Sequence, residues 1–579
     1  MENHIMSSIA IKATWHKESY DRFLNEQLPQ LLAERLPLAG YQVEQTGDYT
    51  CSVKILVINE TGSPAEVTYF DVPQPDNDGI FMTNRNPWTV VPLTSSEELE
   101  KAEILCVGDM LYTVFKERLG EATPDLPWSE SLLRAWLPLD NWVRDRFRFS
   151  QPEHSYDIYF QRLDTTNWLA RRTHLRRLFI TLSDPDRVIT PDQYGRLCPY
   201  EKPEGPNLGR IGVIAVGATI RDKKLVVVDE RPEAALGLSL SVIPLIEHSD
   251  VNRLLMGANM MRQWLPYDQP EPALVQTGNE PLVPEFWCGR NLLTAFVSWG
   301  EETVEDGIIL SQSGARHLSN SDHFVEPGDK VSNRYGIKGV VSRILPDAEM
   351  PKLADGTPVE LLLCSVGLHS RLAHGQLWEA VLGRLARAEG EPILASAFHG
   401  PSEAEVRQRL KAKGLPEAGM ENLLHGETNQ PLPNRSLVGW LYWGRTDHLV
   451  RDKIHVAVDS PQHAQRMTEL EYQILKQIGA VETIRELFHL RAAWPDQNGE
   501  ALSARIVSGT LSVAEPPTPR FAALQSRLSA AGIALTLSDG QLHFALQPAQ
   551  LSAGDAVKLA QPVPHPWLSE HLLHEVGAL

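Results

Sequence analysis

The sequence predicts a multidomain α+β protein with a β-rich centre, from three observations. The chain has 579 residues, enough for several domains of ordinary size. Apolar residues recur at helical spacing in some stretches and form short runs between turn residues in others. Clusters of Gly and Pro divide these stretches. The densest is Asp192–Gly212, where seven of twenty-one residues are Gly or Pro.

Taken in order, residues 15–36 carry helical spacing with a break at Pro29, and 50–58 and 66–72 read as strands. FDVPQPDNDGIFMTN reads as a β-hairpin turning at 75–79. Its Asp76 and Asp78 are spaced like a metal pair, but Asn-Asp-Gly is foremost turn chemistry. Residues 95–120 read as helix and 123–128 as linker. Strands are expected in 208–221, 224–229, 303–312 and 337–345, and helices at 375–387 and 402–413. The last has a capping box, Ser402 and Glu405, and a stop at Gly414–Leu415–Pro416. Residues 494–519 are linker-like, and 520–547 read as helix, strand, Asp539–Gly540 turn, strand. Domains are expected at 1–150, 151–270, 271–400, 401–493 and 494–579.

Composition narrows the function classes. No apolar run reaches the ~18 residues of a membrane span, and no signal peptide is expected. Five scattered cysteines without a CxxC support neither a disulfide framework nor a zinc knuckle, so a cytoplasmic location is expected. A net charge of −20 argues against a surface coated for nucleic acid, yet QRLDTTNWLARRTHLRR holds five arginines against Asp164 alone. By itself that run reads as a solvated helix face. GDKVSNRYGIKG, residues 328–339, sets Lys330, Arg334 and Lys338 among three glycines, a pattern suited to phosphate oxygens but not a P-loop.

These segments, in this order, resemble the β (second-largest) subunit of multisubunit DNA-dependent RNA polymerases. Asp192–Gly212 resembles the fork signature, residues 161–177 the hybrid-channel segment, and IPLIEHSDVNRLLMGANMMRQ a long β signature. VEDGIILS, GDKVSNRYGIKG, GTPVELLLCSVGLHSRLAHGQ and VGWLYWGRTDHLVRDKIH follow in register with the family. The resemblance implies a double-psi β-barrel core, with 1–150 as a reduced protrusion and lobe, 151–270 as fork and hybrid channel, 271–400 as the barrel, 401–493 as hybrid-binding core and 494–579 as linker and clamp-like end.

It also implies roles. Lys330, Lys338, Arg253, Arg371 and His455 match active-centre positions that contact substrate phosphates or the RNA 3′ end. Arg177, Glu204, Arg334 and Asn207 match nucleic-acid contacts. Glu305 and Asp306 match the acidic pair that helps place a second Mg²⁺ through water. Gln161, Asp164, His174 and Arg177 match the rifamycin pocket, where Phe179 replaces the usual Ser and implies weak sensitivity. Such cations suit a reaction that develops charge on a triphosphate.

Departures from the family bear on the mechanism. Only twenty-one residues separate Asp306 from Gly328, where the family carries its flap, and nine separate His455 from Gln465, where it has a glycine-rich loop. SRLAHGQ has Ala373 in place of the family's Asn. No DFDGD-type loop occurs, so the primary Mg²⁺ site is expected on a β′-like partner with a DxDGD loop, and an α-like assembly subunit, DNA template, RNA and NTPs are the other expected partners. The expectation is a β-like subunit of a minimal polymerase, active only with β′. The alternatives are a catalytically idle β paralogue that regulates transcription and a hydrolase with His448, Asp452 and His455 as metal ligands.

Overall fold

The computed structural model describes residues 13–59, 62–96, 98–121, 128–145, 157–181, 190–203, 208–303, 306–450, 472, 475–476, 478–485, 519–538 and 541–546. The chain divides into two compact units, 1–454 and 455–579.

The first unit begins with a lobe in which an antiparallel sheet of Leu38–Gln45, Thr50–Ile58 and Pro64–Pro73 packs on helices through one apolar core. Thr50–Ile58 alternates between buried and less buried residues, as a strand with one covered face must. Pro29 does not break the N-terminal helix. Trp15–Arg22 runs through a π-helical stretch, Phe23–Gln27, into Leu28–Arg35, and Pro29 falls at the start of that last segment, where a missing N–H is tolerated. The hairpin expected around residues 75–79 is displaced. Pro64–Pro73 pairs back with Thr50–Ile58, while Phe81–Thr83 pairs with Asn86–Val90. The reversing residues are Asn84 and Arg85, both at positive φ, the backbone of a two-residue I′-like turn. The Asp76 carboxylate accepts the amides of Asp78 and Ile80, so it serves the turn. Residues 95–120 yield helix only over Val107–Glu121.

Next come helix α1 (Trp168–Leu175), the small sheet joining Arg177–Phe179 to Ile211–Val213, and helix α2 (Val251–Met261). The chain then enters the barrel. Its strands are β1 (Arg290–Phe296), β2 (Gly307–Ser311), β3 (Lys330–Asn333), β4 (Lys338–Leu345), β5 (Leu361–Leu363) and β6 (Ser436–Arg445). They pair in the order β1-β5-β2-β4-β3-β6, and β6 pairs again with β1, closing six strands on themselves. β1 with β5 and β2 with β4 are parallel; the other pairs are antiparallel. The expected α+β fold around a closed barrel is present. Closure draws on β6, well beyond residue 400. β1, β2 and β5 are buried along their whole lengths, which explains their unbroken apolar runs. Helix α3 (Gly375–Glu389) packs on β6, where Gly383 and Gly439 permit near contact of the two backbones. The expected capped helix is Glu403–Ala412, with the Ser402 hydroxyl accepting the Glu405 amide and Gly414 at positive φ.

In the second unit, helix Pro519–Ala530 is followed by Ile533–Ser538 and Gln541–Leu546, paired antiparallel in the expected order. No described helix is long and apolar enough to cross a membrane.

Candidate active site

The β3–β4 hairpin is the centre of the site. Asn333 builds its turn: the side-chain oxygen accepts the amides of Tyr335 and Ile337, and its amide donates to the buried Gln376 on α3. Gly336, at positive φ, completes the reversal. Asp329, fully buried, anchors the other end. It accepts from the Val450 amide and pairs with His323 at 2.8 Å. The register sets Ser332 opposite Lys338 and Lys330 opposite Val340, so alternation puts Lys330 and Lys338 on the same face of the hairpin. Lys338 is exposed and Lys330 half-buried.

Helix α2 lies across the turn. A Cβ at Gly257 would collide with the Arg334 carbonyl oxygen, and one at Gly336 with the Arg253 carbonyl oxygen, so only glycines allow this approach. Arg253 is thereby fixed at the contact by its own carbonyl, one helical turn before Gly257. The loop after helix Val366–Ser370 carries Arg371 and is tied to the start of α2. The Asp250 amide donates to the Leu372 carbonyl, Ser249 bridges Ala373, and the Gly375 amide donates to the Ser249 hydroxyl. Leu372, at positive φ, makes the tight bend that this requires.

A small cleft results, lined by Asp306, Lys338, Leu363, Cys364, Gly367 and Arg371. Arg371 donates to the Asp306 carboxylate. Burial first, then the neighbouring Arg371 charge, holds the Arg253 guanidinium below its ordinary pKa. Three cations, Arg253, Arg371 and Lys338, thus share a neighbourhood with two described carboxylates, Asp306 and Asp250, an excess suited to phosphate oxygens. Glu305, expected beside Asp306, lies outside the described residues, as do Glu204, Asn207, Asp452 and His455. Among the described residues no three His, Cys, Asp or Glu groups come together as a metal site, and Asp306 is engaged by Arg371. The described residues therefore do not fit a resident Mg²⁺.

Arg334 is a correction. Expected at the nucleic-acid surface, it is 3% exposed, pairs with Glu379 at 2.9 Å, donates to the Val275 carbonyl at 2.8 Å and lies over the Tyr442 ring. It holds α3 to the barrel from inside. The basic run divides similarly. Arg176, 1% exposed, donates to the carbonyls of Ile214, Ala215 and Ala218, and Arg172 pairs with Asp78 at 2.7 Å. Arg162 is exposed, and Arg171 and Arg177 are half-buried.

Gln161, Asp164 and His174 come together. The Asp164 amide donates to His174 Nδ1 at 3.1 Å, so Nε2 carries the proton and donates to Gln161 Oε1 at 3.0 Å. Burial, reinforced by Arg177, pushes the His174 pKa down to about 3. Arg177 and Phe179 share one face of their strand, and the Phe179 ring meets Tyr159 edge-on at 4.7 Å. In the segment Asp192–Gly212, Leu197 and Cys198 are buried, Tyr194 is exposed, and Arg196 is held by the carbonyls of Asp192 and Leu225.

The sequence reading missed Asn167, Glu201 and Arg262. The Asn167 side chain caps α1 through the Ala170 amide and also donates to the carbonyls of Met261 and Trp264 at the end of α2. Glu201, 3% exposed, pairs with Arg262 at that same end. The available signal for Asn167 was its residue type ahead of the helical stretch from Trp168; Glu201 and Arg262, 61 positions apart, carried no local signal.

Two segments of the chain match models of a known protein family. Residues 161–220 match the family model for RNA polymerase Rpb2, domain 3, and residues 318–467 that for RNA polymerase Rpb2, domain 6. Arg253 and Asp306 lie in neither matched segment. The chain is 35% identical over 209 residues to the DNA-directed RNA polymerase subunit beta of Acetivibrio thermocellus, covering 34% of this chain and 17% of that protein. With the same subunit of Limosilactobacillus reuteri it shares 32% over 231 residues, 37% and 19% of the two chains. With that of Solibacter usitatus it shares 37% over 207 residues, 33% and 14%. The chain matches less than a fifth of the length of these curated relatives.

Proposed function

The chain being a β-like homologue of the multisubunit RNA polymerases, we propose that it supplies one side of a nucleotidyl-transfer centre, its cations contacting NTP phosphates and the RNA 3′ end. The observation that carries this reading is a cleft lined by Arg371, Asp306 and Lys338 from elements distant in sequence, with Arg253 close enough to feel the charges of Arg371 and Asp306. Arg253 and Arg371 bind and orient the triphosphate, and Lys338, with Lys330 on the same hairpin face, neutralises charge beside the reacting phosphate. Arg371 exchanges Asp306 for phosphate when substrate arrives, which frees the carboxylate. Mg²⁺ would be held by a β′-like partner and would supply Lewis-acid chemistry there. Arg177, with the Gln161–His174–Asp164 cluster, lines the path of the hybrid.

Co-purification with a β′-like partner bearing a DxDGD loop, followed by nucleotide incorporation on a primed template, tests the reading. Incorporation that falls for Arg371→Ala supports it; none from the wild-type assembly overturns it. A rifamycin at concentrations that stop ordinary bacterial enzymes is expected to leave the assembly active, because Phe179 fills a small residue's place, and Phe179→Ser is expected to restore inhibition. Inhibition of the wild-type assembly at those concentrations contradicts this.

A further inference from the structure

We infer that Glu201 and Arg262 form a positioning clamp through which the fork sets Arg253 against the cleft; this rests on the function proposed above. Arg262 caps the C-terminal end of α2, and Arg253 lies near its start. Nine residue steps lead from one to the other, about 13.5 Å at 1.5 Å per residue. The Arg262 guanidinium donates to the Glu201 carboxylate, to the Ser239 hydroxyl at 2.9 Å and to Asn259.

Glu201 is the fork's contribution. Its backbone amide donates to Cys198 Sγ at 3.3 Å, and its carboxylate fills a slot left open by Gly237, where any Cβ would strike Oε2. Arg262 is its ion-pair partner among the described residues. Arg177 lends that carboxylate a second, more distant positive charge, but Arg262 alone pairs with it directly among the described residues, and losing that pair leaves a costly buried charge, so fork and helix end are held in one relative position. A second tie converges on the same point, because Asn167 caps α1 and the last carbonyls of α2 together. Further along, the Gly257 and Gly336 contacts pass the position of α2 to the hairpin bearing Lys338, and the Ser249–Ala373 bridge passes it to the Arg371 loop. A rigid helix gripped at one end and seated on the catalytic hairpin at the other transmits fork position to phosphate contacts. Glu201 touches no substrate in this scheme and acts through Arg253.

The test is a double-mutant cycle in the purified β′-containing assembly. Glu201→Gln keeps the shape and removes the charge. It is expected to raise KM for NTP roughly three- to thirtyfold with kcat changed by less than about twofold, and to add nothing when Arg253 is already Ala. An unchanged KM, or effects that simply multiply, overturns the clamp. If the wild-type assembly incorporates no nucleotide, the proposed function fails, and hydrogen exchange on the full chain then decides the clamp. Faster exchange in 251–261 and 334–337 with Thr50–Ile58 unchanged supports it; a uniform increase or none overturns it.

Discussion

Lys338 and Arg334 stand four residues apart on one hairpin and have opposite surroundings. Both belong to a basic, glycine-rich pattern, and pattern alone assigns both to phosphate. Asn333 turns the backbone so that Arg334 enters the interior and meets Glu379, while Lys338 begins the next strand in solvent. Arg334→Ala is therefore expected to cost about 3–5 kcal/mol of stability by leaving Glu379 buried and unpaired. Denaturant unfolding measures this, and the salt dependence of nucleic-acid binding in the assembly should not change. His174 gives a second prediction. Its pKa is held near 3 and that of His16 near 4, both chiefly by burial. Each lies below the unfolded value, so the stability is fully present above pH ~6.5 and is lost as pH falls toward 3–4. By pH 4.5 each costs about 2.5 kcal/mol. Urea midpoints at pH 7 and 4.5 should show the loss, and His174→Asn, which retains an acceptor for the Asp164 amide, should reduce it.

At the scale of elements, local chemistry was legible and partners were not. The Ser402 cap and the run of β2 follow from spacing and residue type. The hairpin near residue 77 was misplaced because Asp-Gly chemistry there closes an Asx turn, while the strand before it pairs backward. Pro29 was read as a break because a π-helical stretch that accommodates it leaves no signature in apolar spacing. The function of Gly257 emerges only when α2 and the hairpin are seen together. Gly257→Ala places a methyl group on the Arg334 carbonyl. It is expected to destabilise the chain by about 1–3 kcal/mol and to lower incorporation by displacing Arg253 from Lys338. Thermal unfolding and single-turnover incorporation measure the two effects separately.

For the whole molecule, the closed barrel explains how an acidic chain of net charge −20 gathers cations locally. β3 and β4 bring the lysine face, the segment before β2 brings Asp306, and the loop after β5 brings Arg371. The ordered resemblance made the barrel and most of these residues legible. Closure by β6 was not, because that pairing joins residues about 150 positions apart. Nor were the buried fates of Arg334 and Arg176, since burial depends on the carboxylates and carbonyls that the fold collects around them. The central claim is that this cleft is half of a working polymerase centre. Nucleotide incorporation by the chain with a DxDGD-bearing β′-like partner, with and without Lys338→Ala, tests it most directly. The account predicts Mg²⁺-dependent incorporation that Lys338→Ala lowers by roughly a hundredfold or more; equal incorporation by the two proteins, or none with the partner bound, would contradict it.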